Sequence, residues 1–119
     1  MATVITLDEL TSKLDAGDPL VLVEALGPQY YEQAHLPGAI NIPHTQVDEL
    51  AASLLPDKAA EIVVYCSNGP CQNSGLASRR LTALGYTKVR DYHEGKAEWI
   101  SAGLPTEAGS QRLHDRIAS

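Results

Sequence analysis

Ile62-Val63-Val64-Tyr65-Cys66-Ser67-Asn68-Gly69-Pro70-Cys71-Gln72-Asn73-Ser74-Gly75-Leu76-Ala77-Ser78-Arg79-Arg80-Leu81 is the stretch around which the chain is organised. Four apolar residues, mostly β-branched or aromatic, run into a cysteine, and a short loop with Gly and Pro leads into a helical pattern. That order predicts strand, loop and helix. A cysteine at the carboxyl end of a buried strand, under a loop whose amides converge on a helix N-terminus, sits where a thiolate is stabilised. Aligned peptide dipoles amount there to roughly half a positive charge, and such surroundings lower a thiol pKa from about 8.5 by one or more units. Cys66 is therefore the first candidate nucleophile. The competing reading is a strand-end cysteine chosen for its size, since free cysteine is among the most buried residue types. Cys71 weighs against it: a loop that curls back to start a helix brings two such sulfurs toward disulfide distance. Both cysteines of the chain fall in this one window.

Outward from that stretch, the 119 residues suit one domain with a single core. A hydrophobic content of 44% with 20% charged residues fits a globular chain. The formal net charge of −6 argues against nucleic-acid or anionic-membrane binding, because phosphate contacts need a basic surface. No apolar run approaches the roughly 20 residues of a membrane-spanning helix. Met1 to Thr6 has neither a basic start nor a small-residue cleavage site, so a cytoplasmic location is expected. Two cysteines in such a chain point to reactivity rather than a structural staple. His35, His44, His93 and His114 lack the paired spacing of zinc ligands, and no metal or other cofactor is called for.

Taken in order, Val4-Ile5-Thr6 is a short strand, and Thr6-Leu7-Asp8-Glu9 matches a capping box that opens a helix striped by Leu7, Leu10 and Leu14. Leu20 to Glu24 is apolar on both faces, as an interior parallel strand is, and places Glu24 at its carboxyl end. In open α/β sheets ligands bind at that edge. Glu24 is the acidic residue to test, as an acceptor for loop amides. After Gly27-Pro28, residues 29–34 form a short helix, Pro37-Gly38 marks a turn, and a short strand runs to Pro43. Thr45 is placed to cap the next helix, striped by Val47, Leu50, Ala51, Leu54 and Leu55. The helix after the cysteine loop ends near Gly85, a C-terminal cap. Val89 to Tyr92 is a fifth strand, and residues 96–102 a last short helix anchored by Trp99 in the core. Residues 1–107 thus form one domain, and 108–119 a polar extension with room for a single helix from Gln111 to Ile117. Strands alternating with helices imply a five-stranded parallel sheet with helices on both faces.

Four segments then resemble the rhodanese-like (sulfurtransferase) family. They are His35-Leu36-Pro37-Gly38-Ala39-Ile40-Asn41-Ile42-Pro43; Val63-Val64-Tyr65-Cys66; Ser74-x-x-Ala77-Ser78-x-x-Leu81; and Gly95-x-x-x-Trp99-x-x-x-Gly103-Leu104-Pro105. The resemblance implies a cysteine that takes a sulfane sulfur from a donor as a persulfide and passes it to a thiol, cyanide or protein acceptor. Cys66 would be that nucleophile, and Ser67, Asn68, Gly69, Pro70, Cys71, Gln72 and Asn73, with Ser74 behind them, the loop whose amides hold the anionic persulfide. Cys71 is the alternative first nucleophile. In either order the second thiol can release sulfide and leave a Cys66–Cys71 disulfide that an external dithiol resets.

Several features depart from the family pattern. No Lys or Arg lies between Lys58 and Arg79, so weak thiosulfate activity is expected. Glu24-Ala25-Leu26 stands where Asp-x-Arg is usual. Ser74 follows Cys66 by eight positions rather than the usual six or so, which makes room for Cys71. Gln72 occupies the place of the arginine in a Cys-x5-Arg phosphatase loop, which disfavours phosphate-ester chemistry. A thiol-dependent oxyanion (arsenate-type) reductase and a non-catalytic interaction domain are the alternatives. His35 is expected to hold the Pro37-Gly38 turn, and Arg79 and Arg80 to face solvent or neighbouring carboxylates. Donor, acceptor and oligomeric state stay open at this point.

Overall fold

The computed structural model describes residues 2–109. Its strands are β1 (Thr3–Val4), β2 (Val21–Glu24), β3 (Ile40–Asn41), β4 (Glu61–Tyr65) and β5 (Lys88–Tyr92). Its helices are α1 (Leu7–Asp15), α2 (Pro28–Gln33), α3 (Val47–Leu54), α4 (Asn73–Ala83) and α5 (Gly95–Ser101). The strands form one five-stranded sheet in the order β1-β5-β4-β2-β3, with every pairing parallel.

β4 is the middle strand, which explains its unbroken apolar run: Ile62 and Val64 pack on one face, Val63 and Tyr65 on the other. On the first face the core includes Val47 and Ala51 of α3 and Ala77 and Leu81 of α4. On the second it includes Leu10 of α1, Tyr31 of α2 and Trp99 of α5. Trp99 is buried, and its indole N–H donates to the Pro105 carbonyl at 2.7 Å. A core anchor with a satisfied polar edge is what the sequence leads one to expect of it.

The register aligns Glu24 with Asn41 and Tyr65, and Tyr65 with Tyr92, so four strands end on one edge. Cys66 is the first residue beyond that edge. Thr6 caps α1 as expected, its hydroxyl accepting the Glu9 N–H at 3.2 Å. Gly85, at φ 102°, closes α4 in a conformation that favours glycine.

Some local expectations change. Thr45 does not cap α3: it lies inside a 3-10 turn (His44–Gln46), and Gln46 stands at the N-cap without a side-chain bond. The first strand is one residue earlier than its apolar residues suggest, because Ile5 turns into the core after β1 ends. The expected helix from Gln111 to Ile117 lies outside the described residues. No helix among the described residues is long and apolar enough to cross a membrane.

Candidate active site

β4 ends at Tyr65, and the chain passes from Cys66 through Ser67, Asn68, Gly69, Pro70, Cys71 and Gln72 into α4. The loop closes on itself where Cys71 N–H donates to the Asn68 carbonyl at 3.1 Å and to the Asn68 side-chain oxygen at 3.2 Å. It is also fastened from outside. The first amides of α5 donate to its carbonyls, Lys96 N–H to Cys66 at 2.9 Å and Ala97 N–H to Ser67 at 2.8 Å. That contact requires Gly95. A Cβ there would stand 2.6 Å from the Cys66 carbonyl oxygen, and its φ of 70° is one that L side chains rarely adopt.

Both cysteines are free thiols in one small loop, in different surroundings. Cys66 is wholly buried, its Sγ 3.5 Å from the Cys71 carbonyl oxygen and 3.5 Å from the Ser74 hydroxyl. Cys71 is partly exposed. Burial and a hydrogen bond given to the Cys71 sulfur push the Cys66 thiol up, and the Ser74 hydroxyl and amide only partly oppose this. Burial also acts to raise Cys71, but the Cys66 thiol and the amides of Asn73 and Ser67 donate to its sulfur and bring it below the ordinary thiol value.

The expectation of a depressed Cys66 is thus corrected. Two of the converging amides meet the Cys71 sulfur, while Cys66 faces a carbonyl oxygen, which repels negative charge. Asn73 and Ser74 supply their amides from the first turn of α4, where backbone N–H groups lack helical partners.

Glu24 does not take loop amides, which is a second correction. Its carboxylate, fully buried, accepts the Tyr65 hydroxyl at 2.9 Å and lies 3.0 and 3.1 Å from Lys96 Nζ. Lys96 Nζ further reaches the carbonyls of Tyr30 and Ala34, at 3.2 and 2.6 Å. Burial pushes the Glu24 carboxyl up, with Lys96 and Tyr65 pulling the other way. A buried carboxylate needs a charged partner more than it needs amides. Lys96 is the residue that sequence reasoning missed. Its only signal is its place in the first turn of the helix after β5, three positions before Trp99.

His35 does not hold the Pro37-Gly38 turn. Its Nδ1 lies 2.7 Å from the Tyr31 carbonyl and its ring stacks on Tyr31 with centroids 3.8 Å apart. The turn is held by Glu107, whose carboxylate accepts the Gly38 N–H at 2.9 Å while its backbone pairs with His35. Arg80 pairs with Asp48 on the surface, as a basic residue past the first turn of α4 is expected to do.

Residues 6–102 match the family model described as Rhodanese-like domain. The chain is 35% identical over 110 residues to the HTH-type transcriptional regulator Rv0324 of Mycobacterium tuberculosis, covering 92% of this chain and 47% of that protein. It is 44% identical over 64 residues to the thiosulfate sulfurtransferase PspE of Escherichia coli, covering 54% of this chain and 60% of that one. It thus spans about half to three fifths of these relatives' lengths. Among solved structures, a rhodanese with anions from E. coli superposes with a TM-score of 0.64 at 34% identity, covering 76% of this chain and 99% of the other. With the parallel sheet ending at Cys66 and a family model matched from Thr6 to Ala102, the chain belongs to the rhodanese-like domain family.

Proposed function

We propose that this domain transfers sulfane sulfur through a persulfide on Cys66, with Cys71 as the resolving thiol. The observation that carries the reading is the pairing of two free thiols in one loop at the end of the central strand, with the buried Cys66 sulfur 3.5 Å from the Cys71 carbonyl oxygen and 3.5 Å from the Ser74 hydroxyl. As Cys66 attacks the outer sulfur of a donor, its proton passes to Cys71. The donor's S–S bond breaks, and the donor leaves as a thiolate, or as sulfite if it is thiosulfate. Cys66 is left as a persulfide whose negative outer sulfur the amides stabilise.

Two exits follow. An acceptor thiolate attacks the outer sulfur, takes it and restores Cys66. Alternatively, Cys71 attacks the inner sulfur, releases hydrosulfide and forms a Cys66–Cys71 disulfide, which an external dithiol reduces. A second reading has its own support: Cys71 is the more exposed thiol and the one with the lowered pKa, which favours it as the first to attack.

Peptide mass spectrometry of the reduced protein, after brief exposure to glutathione persulfide and separately to thiosulfate, tests both. Sulfur gained on Cys66, followed by a Cys66–Cys71 disulfide, is the expected result, and Cys71→Ser should trap the added sulfur on Cys66. Sulfur retained on Cys71 in Cys66→Ser at the wild-type rate establishes the second reading. No adduct on either thiol with either donor overturns both and leaves a rhodanese-like domain used for binding.

A further inference from the structure

The loop carries a negative charge against its backbone at Gly69. The Glu94 carboxylate lies so close to the loop backbone that a Cβ on Gly69 would be 3.2 Å from its Oε1 and 3.5 Å from its Oε2. Glu94 is exposed and stands at the start of α5, the helix whose next amides hold the Cys66 and Ser67 carbonyls.

Most cations among the described residues have partners away from the loop. Lys96 is spent on Glu24 behind the sheet edge, and Arg80 on Asp48. Arg90 is held by Glu9 and Glu61, and Lys13 by Glu61. Lys58 donates to the Leu84 carbonyl, and Lys88 pairs in register with Glu61 at the amino end of the sheet. Arg79 lines a groove with Ala2, Val4 and Asp91. The loop therefore offers an incoming donor backbone amides, which draw a small anionic sulfur inward, and one carboxylate, which repels a bulky anionic carrier behind it.

We infer that Glu94 is a specificity-determining residue, a charge filter that selects hydropersulfide donors with a neutral or cationic carrier over anionic carriers and dianionic thiosulfate. The inference rests on the sulfur-transfer reading of the loop. The amides act on the transferred sulfur in every donor alike, whereas Glu94 acts on the part of the donor that leaves. Charges at the edge of a site mainly govern encounter and its salt dependence, so the filter should weaken as salt screens it over about 10 Å.

The test compares initial rates of sulfur removal by reduced protein from cysteamine persulfide, glutathione persulfide and thiosulfate, read as the thiol or sulfite released. The wild type should favour the cationic donor over the anionic ones by about five- to tenfold at low ionic strength, as expected for unit charges several ångströms apart in the dielectric of water. Glu94→Gln should remove most of that ratio, Glu94→Lys should invert it, and added salt should shrink it in the wild type but not in Glu94→Gln. A merely structural role at the start of α5 would lower all three rates together and leave their ratio unchanged; that result, or a wild-type preference for thiosulfate, overturns the filter while leaving sulfur transfer intact. No release from any donor overturns the sulfur-transfer reading and the filter with it.

Discussion

The Cys66 sulfur lies 3.5 Å from the carbonyl oxygen of Cys71, so the deeper thiol of the loop faces an acceptor while the outer thiol receives donors. Acidity within the pair is thereby set opposite to depth in the fold. The pH dependence of iodoacetamide labelling, resolved by peptide mass spectrometry, should show Cys71 reacting with a midpoint below the ordinary thiol value of about 8.5. Cys66 should lag behind it. Replacing Cys66 by Ala removes a donor to the Cys71 sulfur and should raise the Cys71 midpoint. Faster labelling of Cys66 than of Cys71 at neutral pH would contradict this assignment.

Lys96 and Glu24 lie 72 residues apart in sequence and form an ion pair with the carboxylate fully buried. Lys96→Met leaves that carboxylate without its charged partner, a change that costs about 3–5 kcal/mol in buried pairs. The sign with pH follows from Glu24, whose folded pKa burial raises above the ordinary carboxyl value of 4.5. A carboxyl with a raised folded pKa favours folding below its unfolded pKa, and that contribution is lost as pH rises through the folded value. Without Lys96 the rise is larger. Urea unfolding should therefore show a smaller loss of stability for Lys96→Met near pH 4, where Glu24 is protonated, than at pH 7. A second change, Glu24→Gln, should recover part of the loss at pH 7. An equal loss at both values would show that Lys96 acts through packing alone.

Gly95→Ala tests how α5 fastens the loop. The added methyl meets the Cys66 carbonyl oxygen at 2.6 Å, and the backbone is held at a φ of 70°. Such a conformation costs a non-glycine residue about 1–3 kcal/mol before any clash is counted. We expect a lowered melting temperature and slower sulfur uptake, because relief of the clash moves the first loop residue away from the Lys96 and Ala97 amides. Gly103→Ala is the control: it also has a positive φ, 78°, but nothing lies within 4 Å of the added atom. It should lose stability while keeping the uptake rate per folded molecule.

Tyr65 links the central strand to the segment after α2. Its hydroxyl donates to Glu24 Oε1 at 2.9 Å and accepts the Leu36 N–H at 3.1 Å, all inside the core. Tyr65→Phe removes one oxygen and leaves a buried donor and a buried acceptor each short of a bond. The expected cost is about 1–3 kcal/mol, measured by urea denaturation with the m-value unchanged. A neutral result would mean that water replaces the hydroxyl.

Much of this protein was legible in the order of its residues. Apolar runs, helical stripes and Gly or Pro punctuation are local signals, and they sufficed for five strands alternating with helices and for a cysteine at the end of the central one. The two cysteines share a short loop, so their proximity is also local. What tertiary structure decided is which charges and dipoles surround them. Glu24 meets Lys96 rather than loop amides, Glu107 rather than His35 holds the turn at Gly38, and Glu94 stands over Gly69. Each partner comes from an element distant in sequence. Periodicity shows which face of an element is buried, but the pairing of polar groups across elements depends on register and close packing. The balance between the two thiols depends on it too, because a hydrogen bond separates the sulfurs' environments at distances that sequence spacing does not specify.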